Sequence, residues 1–270
     1  MARFLEDRVA FITGAGRGQG RSHAVRLAAE GADIIALDLC GEAVPVGYPV
    51  TTPDDLMETE RLVKEAGRRI VACRGDVRSQ SDLDAAAAAG VAQFGRLDIV
   101  VANAGVVTWD RFWEMREDKW QAMLDINLSG VWRTFKAAAP VLIEQGRGGS
   151  MIAISSVAGL KSLPAQAHYS AAKHGIVGLV KAAAIELGPF RIRVNSIHPW
   201  GVDTPMAHDP AVAGLLDEHP TYRASYGSIL AEPQIADPGD ISDAVVWLAS
   251  DASRAVTGIQ LPVDMGATTV

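Results

Sequence analysis

Residues 9–20 read Val-Ala-Phe-Ile-Thr-Gly-Ala-Gly-Arg-Gly-Gln-Gly, and a helical pattern follows over residues 22–29. The apolar run predicts a buried strand, and the glycines predict a tight turn whose following helix aims its N–H groups and dipole at a bound anion. This arrangement is typical of pyrophosphate binding, with predicted contacts at Gly14, Arg17, Gly18, Gln19 and Gly20. A purely structural turn is the alternative, because a glycine-rich stretch alone is weak evidence.

A second apolar run, residues 32–39, predicts the next strand and carries Asp38, eighteen residues after Gly20. A carboxylate at this place accepts hydrogen bonds from both ribose hydroxyls of a dinucleotide and repels a 2′-phosphate. Asp38, with Leu39 beside it, therefore favours NAD over NADP. Arg17 indicates the opposite, since a guanidinium could pair with that phosphate. We give Asp38 more weight, because fixed repulsion is harder to evade than a flexible arginine is to redirect.

Strands and helices alternate along the whole chain. Apolar runs over residues 69–73, 97–101, 150–155, 193–197 and 258–263 predict further strands, and helical patterns include residues 113–138, 169–187 and 241–250. The alternation predicts one α/β domain over residues 1–270, a Rossmann-like doubly wound parallel sheet with helices on both faces. Because ligands bind where parallel strands end, the residues after the third and fourth strands are further predicted cofactor contacts: Asp76, Val77, Asn103, Ala104 and Gly105.

Two stretches interrupt this alternation. Residues 41–53 hold three prolines and two glycines, cannot form a helix, and are longer than the usual strand-to-helix connection. Since the stretch leaves the ribose-binding strand directly, we predict that it folds over the adenosine half of a dinucleotide; a surface excursion without a role is the alternative. Residues 206–240 combine prolines with apolar and tyrosine side chains, and we predict a substrate lid.

The catalytic hypothesis rests on Ser156, Tyr169 and Lys173. Ser156 closes an apolar strand, and Tyr169 and Lys173 follow as i and i+4 neighbours on one helix face. A phenol with a pKa near ~10 needs help to act at neutral pH, and an ammonium ~4 Å away supplies about 4 kcal/mol at an effective dielectric of ~20. We therefore predict that Lys173 lowers the pKa of Tyr169. Asn127 is a buried amide with either a catalytic or a purely structural role.

Composition narrows the class of partner. The chain of 270 residues has a formal net charge of −7, which gives no support for binding nucleic acid or an anionic membrane. No apolar stretch is long enough to span a bilayer, and the amino terminus lacks the apolar core of a signal peptide.

Cys40 and Cys73 are expected to be free thiols in a cytoplasmic protein. The histidines show no metal-ligand spacing, so no metal is expected.

Together these residues resemble the short-chain dehydrogenase/reductase family across essentially the whole chain. Residues 13–20 match its glycine signature, Asn127 its relay asparagine, Ser156 its serine, and Tyr169 with Lys173 its Tyr-x-x-x-Lys. The family's Asn-Asn-Ala-Gly appears as Ala102-Asn-Ala-Gly105, and its Pro-Gly appears as Pro199-Trp200 with Gly201 one place later. The resemblance also implies cofactor contacts after the sixth strand: Pro199, Gly201, Val202 and Thr204.

A closer resemblance is to the mycofactocin-associated, carveol-dehydrogenase-like subfamily, through residues 41–53, 21–24 and 198–206. It implies that NAD stays bound and is re-oxidised by mycofactocin, and the wider family implies a homotetramer. The expected activity is interconversion of a secondary, cyclic or hydrophobic alcohol and its ketone. Two alternatives remain: an ordinary family member with exchangeable NAD(H), such as a 3-oxoacyl or steroid reductase, and a redox-sensing protein that binds NAD without turnover.

Overall fold

Seven short apolar runs form the strands of one sheet, because helices on both faces bury side chains that point in either direction. The structure, a computed structural model, describes residues 4–230, 232–233 and 235–270. The strands are β1 (Val9–Thr13), β2 (Asp33–Asp38), β3 (Ile70–Arg74), β4 (Ile99–Ala102), β5 (Gly149–Ile154), β6 (Ile192–Pro199) and β7 (Gln260–Val263). All seven predicted strands are confirmed, with ends shifted by one or two residues.

The helices connect these strands and cover the sheet. They are α1 (Gly18–Ala29), α2 (Pro53–Glu65), α3 (Gln80–Phe94), α4 (Glu117–Leu124), α5 (Gly130–Gln145), α6 (Ala167–Leu187), α7 (Pro210–Glu218) and α8 (Pro238–Ala249). A π-helical segment, Asp125–Ser129, joins α4 to α5. Glycines in the left-handed conformation, Gly67, Gly95 and Gly146, follow α2, α3 and α5.

The sheet is parallel throughout, in the order β3-β2-β1-β4-β5-β6-β7. From β1 the chain adds strands toward one side of the sheet (β2, β3), and from β4 it adds them toward the other side (β5 to β7). The connections that follow β1 and β4 therefore run in opposite directions and leave a crevice between the carboxyl ends of these two strands. This is the doubly wound Rossmann-like architecture that the sequence predicts. The crevice places the glycine turn after β1 opposite the residues that follow β4.

Alternating side chains of the strands build two separate cores. Along β1, Val9 and Phe11 face the core beneath α3, α5 and α6, whereas Ala10 and Ile12 face the core beneath α1 and α8. All four are essentially inaccessible to solvent. Burial on both faces makes β1 a rigid support, so the turn that follows it is held in place.

Local sequence signals explain where several helices begin. Thr52 caps α2, Pro53 is its first residue, and Asp55 completes a reciprocal capping box. Asp237 and Asp240 form the same device at α8. These caps satisfy N–H groups that a helix leaves unpaired at its start.

Several helical boundaries differ from the prediction: α1 begins four residues earlier and α8 three residues earlier than expected. The stretch predicted as helix over residues 113–138 begins instead at Glu117, because Trp113 lies in a turn closed by Glu114 N donating to the Arg111 carbonyl. The helix then passes through the π-helical segment and continues to Gln145, with Pro140 inside it. The predicted catalytic helix begins two residues earlier than expected, at Ala167.

The predicted lid contains a helix that the sequence reading missed. Asp209 caps α7 by accepting from Ala211 N, and Pro210 is its first residue, a pairing that marks a helix start. Ala231 and Gln234 of the lid, and residues 1–3, lie outside the described residues. Across the part of the chain that the structure describes, no helix is both long and apolar enough to cross a bilayer.

Candidate active site

The three predicted catalytic side chains meet at the carboxyl end of β5. Ser156 follows that strand, and the first turns of α6 bring Tyr169 and Lys173 beside it. The Ser156 hydroxyl lies close enough to the Tyr169 hydroxyl to act on its pKa. Lys173 is 3% exposed; its Nζ donates to the Ile154 carbonyl at 2.9 Å and lies 5.3 Å from the centroid of the Tyr169 ring. A half-buried serine, a half-buried phenol and a buried amine are therefore adjacent in one corner of the molecule.

The protonation of this corner differs from the prediction. Burial raises the pKa of Tyr169 to about 12, although the hydrogen bond from Ser156 opposes the rise. Burial also lowers the pKa of Lys173 to about 7, so its positive charge is itself disfavoured. The expected lowering of the Tyr169 pKa by Lys173 is therefore not found, because removal of the phenol from water dominates and the charge on the lysine is itself disfavoured.

Asn127 lies in the π-helical segment and is fully buried. Its Oδ1 accepts from Val106 N at 3.2 Å, and its Nδ2 donates to the carbonyls of Val106 and Met123 at 3.0 and 3.1 Å. These bonds join the chain after β4 to the end of α4, which is the structural role left open by the sequence. A Cβ at Gly105 would lie 2.7 Å from Oδ1 of Asn127 and 3.7 Å from Nζ of Lys173, so both side chains converge on this glycine.

The glycine turn is packed so closely that side chains are excluded from it. A Cβ at Gly20 would lie 1.9 Å from the Gly14 carbonyl oxygen, and a Cβ at Gly14 would lie 2.8 Å from the Cα of Ala104. Asn103 locks the turn, since its Nδ2 donates to the carbonyls of Thr13 and Gly14 at 3.0 and 3.2 Å. The single asparagine present in Ala102-Asn-Ala-Gly105 thus ties β4 to the turn, and the exposed backbone fits a pyrophosphate.

Asp38 lies at the end of β2, 6% exposed. Its Oδ2 accepts from Gly16 N and its Oδ1 from Cys40 N, each at 2.9 Å. Burial raises the pKa of Asp38, while these two backbone bonds and the nearby Arg17 lower it. The guanidinium of Arg17 donates to the Pro49 carbonyl. Arg17 therefore contacts the loop over residues 41–52, and Asp38 lines the cavity that this loop borders.

A cavity of about 190 Å³ runs along these residues. The predicted contacts that line it are Gly14, Arg17, Gly18, Gln19, Gly20, Asp38, Leu39, Asp76, Val77, Asn103, Ala104, Gly105 and Thr204. Tyr169, Lys173, Pro199, Gly201 and Val202 are not among the described residues that line it. Glycine backbone at one end and a carboxylate at the ribose position make the lining suitable for a dinucleotide. No group of three His, Cys, Asp or Glu side chains that could hold a metal occurs among the described residues.

The loop over residues 41–52 forms one wall of this cavity through Val44, Val46, Tyr48 and Val50. The hydroxyl of Tyr48 accepts from Val107 N at 3.1 Å and donates to the Val107 carbonyl at 3.4 Å. A Cβ at Gly47 would lie 2.2 Å from Oδ1 of Asp209, so the loop also touches the start of α7. The sequence predicts that this stretch covers a dinucleotide, but it gives no sign of the partner of the Tyr48 hydroxyl, which is 59 residues away.

Three aromatic side chains stand beside the catalytic corner. Tyr226 of the predicted lid lies between Trp109 and Trp200, with ring centroids 6.3 and 6.2 Å away. Its hydroxyl donates to the Pro164 carbonyl at 2.8 Å. Tyr169, Trp200 and Tyr226 pack against one small apolar cluster that includes Leu163. Trp200 and Tyr226 therefore share one apolar cluster with Tyr169 and place aromatic surface beside the catalytic corner.

Known proteins resemble the chain over nearly its whole length. A family model described as enoyl-(acyl carrier protein) reductase matches residues 14–268. An NAD-dependent oxidoreductase of Mycobacterium tuberculosis is 52% identical over 97% of this chain and 96% of its own. The (-)-trans-carveol dehydrogenase of Rhodococcus erythropolis is 43% identical, covering 99% of each chain.

A solved structure agrees with these relatives. The short-chain dehydrogenase of Mycobacterium paratuberculosis, determined with NAD bound, is 50% identical and superposes with a TM-score of 0.96 over 99% of this chain and all of its own. Its fold matches the seven-stranded sheet described above. On these matches and on the arrangement of Ser156, Tyr169 and Lys173, the chain belongs to the short-chain dehydrogenase/reductase family.

Proposed function

We propose that the protein is an NAD-dependent alcohol dehydrogenase, or ketone reductase, acting on a secondary alcohol that is cyclic or hydrophobic. The observation that carries the proposal is the placement of the Ser156 hydroxyl and the Lys173 amine beside the Tyr169 phenol at the carboxyl end of β5. Relatives named as an NAD-dependent oxidoreductase and a carveol dehydrogenase support the cofactor and the type of substrate.

The chemistry follows from the positions of these groups. NAD, when bound, supplies the acceptor for the hydride that leaves the carbinol carbon. Tyr169 takes the hydroxyl proton, Ser156 holds the substrate oxygen, and Lys173 stabilises the phenolate and contacts the nicotinamide ribose. Asn127 serves the proton relay by holding the backbone of Val106, which follows Gly105, the glycine beside Lys173.

The pKa values explain why the cofactor belongs to this mechanism. With the pKa of Tyr169 at about 12 and that of Lys173 at about 7, the corner is close to neutral and a phenolate is disfavoured. A positively charged ligand in contact with the phenol favours its ionised form. We therefore expect the phenol to become a base only in the complex with oxidised NAD.

A substrate screen tests the proposal. Purified protein with NAD is mixed with cyclic terpene alcohols, steroid alcohols and short linear alcohols, and reduction of NAD is followed by absorbance. Reduction by cyclic secondary alcohols supports the proposal. If none of the alcohols reduces NAD and none of the matching ketones oxidises NADH, the protein is a binder rather than an enzyme.

We also propose that NAD stays bound between turnovers and is re-oxidised in place by mycofactocin, which is the finer form of the proposal. Three contacts support retention: Arg17 with the Pro49 carbonyl, Tyr48 with Val107, and Gly47 against Asp209. They attach the loop to the glycine turn, to the segment after β4 and to the start of α7, so we expect release of a dinucleotide to be slow.

Retention has a direct test. Excess alcohol and free NAD are added to the protein without another acceptor, and NADH is measured in solution and on the protein. One equivalent of bound NADH and no further turnover is expected, and mycofactocin or a dye acceptor should restore turnover. Removal of residues 42–50 should permit turnover with free NAD. Steady release of NADH by the intact protein would contradict retention and favour an ordinary dehydrogenase with exchangeable NAD(H).

Assembly and location are separate proposals. Large apolar side chains remain exposed on α4, α5 and α6, including Trp120, Trp132 and Ile185 at 38, 45 and 79%. Such surfaces suit a homotetramer that packs these helices together, and a monomer in solution scattering at micromolar concentration would contradict it.

The two cysteines, Cys40 and Cys73, are free, and burial raises the pKa of Cys40 to about 11. Free thiols are consistent with a cytoplasmic protein.

A further inference from the structure

His168 stands directly before Tyr169 in the first turn of α6 and is fully buried. The first N–H groups of any α-helix have no partner within the helix. Here the N–H of Tyr169 donates to Nδ1 of His168 at 2.9 Å. The histidine therefore fixes the backbone of the residue that carries the phenol.

The other ring nitrogen reaches a second element. Nε2 of His168 lies 2.8 Å from Oγ1 of Thr108, which is 8% exposed, in the segment after β4. Because Nδ1 accepts, a neutral ring carries its proton on Nε2 and donates it to the threonine. Next to this bond, Asp110 N donates to the Ala165 carbonyl at 3.0 Å. Two bonds thus join the segment after β4 to the start of the catalytic helix.

The same segment receives the loop that covers the cavity. Tyr48 holds both the N–H and the carbonyl of Val107, the residue before Thr108. An uninterrupted line of hydrogen bonds and single peptide links therefore runs from Tyr48 through Val107, Thr108 and His168 to Tyr169. Its two ends are the wall of the cofactor cavity and the catalytic phenol.

We propose that His168 is a positioning residue that, through Thr108, couples the position of the Tyr48 loop to the orientation of Tyr169. The proposal rests on the proposed function, in which Tyr169 is the catalytic base. When Tyr48 holds Val107, Thr108 is fixed and its bond to His168 keeps the start of α6 in place. When Tyr48 releases Val107, Thr108 is less firmly held, and the bond from Thr108 to His168 fixes Tyr169 less well. The consequence is that the phenol is best placed only while the loop lies over the cavity.

The charges around the ring agree with a neutral His168. Burial lowers its pKa, and Lys119 acts in the same direction, whereas Asp110 and the carbonyl of Gln166 act in the opposite one. A protonated ring could not accept from Tyr169 N. A ring protonated on the other nitrogen would donate to the Gln166 carbonyl instead of accepting from Tyr169 N. Measuring which ring nitrogen carries the proton therefore distinguishes the two arrangements.

The kinetic test compares two buried threonines. Thr108→Val removes the hydroxyl that faces His168, Thr108→Ser keeps it, and Thr134→Val removes a buried hydroxyl that donates within α5 to the Gly130 carbonyl at 2.8 Å. We expect Thr108→Val to slow single-turnover reduction of bound NAD on the order of tenfold, with little change in KM, because misplacement of a reacting group affects the chemical step. Thr108→Ser should restore the rate, and Thr134→Val should lower only stability.

Coupling to the loop is tested with Tyr48→Phe. If the hydrogen bonds from Tyr48 to His168 link the loop to Tyr169, the fold-loss in rate of the Tyr48→Phe, Thr108→Val double variant should be smaller than the product of the two single fold-losses. Independent losses, a normal rate in Thr108→Val, or equal losses in the two threonine variants would overturn the proposal.

A spectroscopic measurement separates this proposal from the enzymatic one. Nitrogen NMR of histidine-labelled protein, with the signals of His168 identified from their loss in His168→Gln, should show the proton on Nε2. A proton on Nδ1, directed at Gln166, would overturn the inference whatever the activity. If the wild-type protein oxidises no alcohol, the proposed function fails, and the NMR result still decides whether His168 holds Tyr169 N.

Discussion

Replacement of Gly105 by alanine should damage the catalytic corner without straining the backbone. Gly105 does not have a left-handed φ, so alanine is compatible with its conformation. The added methyl would lie 2.7 Å from Oδ1 of Asn127, which is closer than carbon and oxygen atoms approach. Asn127 is fully buried and its amide is held by Val106 and Met123, so it cannot move aside without losing hydrogen bonds.

The size of the effect follows from those bonds. Leaving a buried polar group unpaired costs roughly 1–3 kcal/mol, and we expect Gly105→Ala to lower the free energy of unfolding by about that amount. The rate of alcohol oxidation should fall about tenfold to a hundredfold, since about 1.4 kcal/mol corresponds to a factor of ten and Lys173 lies beside the same methyl. Denaturant unfolding and single-turnover reduction of NAD measure the two quantities.

A matched variant on the catalytic helix makes the result decisive. Gly178 lies inside α6 with no heavy atom within 4 Å of an added Cβ. Gly178→Ala should stabilise the protein by about 0.5–1 kcal/mol, because glycine is a poor helix former, and should keep the wild-type rate. A wild-type rate in Gly105→Ala, or an equal loss in Gly178→Ala, would refute the convergence of Asn127 and Lys173 on Gly105.

The other predictions address the base, the cofactor and pH. Tyr169→Phe should abolish turnover while calorimetry shows NAD binding nearly unchanged, and more than a tenth of the wild-type rate, taken as the order-of-magnitude limit for losing a proton acceptor, would contradict the assignment. NAD should bind more tightly than NADP because Asp38 repels the 2′-phosphate, and equal affinities would show otherwise. Burial lowers the pKa values of His23 and His198 to about 3 and about 4, so the unfolded chain binds more protons as the pH falls below ~6.5. Stability should therefore be full above that pH and fall on acidification by about 1.4 kcal/mol per pH unit for each histidine, and His23→Leu should reduce this slope in urea unfolding at several pH values.

Much of the fold follows from local patterns. Five-residue apolar runs such as β1 can satisfy their backbone only in a sheet, and the Thr52-Pro53 pair fixes the start of α2. The start of α7 was equally marked by Asp209-Pro210 but was obscured by the prolines around it. The late start of α4 had no such signal. Trp113 lies in a turn closed by bonds between Arg111 and Glu114, and a pair with this spacing is equally compatible with a helix.

The site was less accessible to sequence reasoning because its properties depend on contacts between distant segments. The positions of Ser156 and Tyr169 follow from the motif, but the pKa of the phenol depends on how much water the surrounding chain removes. The attraction of Lys173 was estimated for a charged lysine, and burial disfavours that charge. The attachment of Tyr48 to Val107 joins residues with no shared pattern, so it appears only when the chain is folded.

The left-handed glycines after α2, α3 and α5 lead into β3, β4 and β5 and therefore lie at the edge of the sheet opposite the cavity. A Cβ at Gly67, Gly95 or Gly146 would meet no heavy atom within 4 Å. Chain inserted at these turns would project away from the reacting groups. A tether placed there would hold the protein on an electrode with its cavity toward the solution, and a fluorescent domain placed there would report on the protein without obstructing access to the cavity.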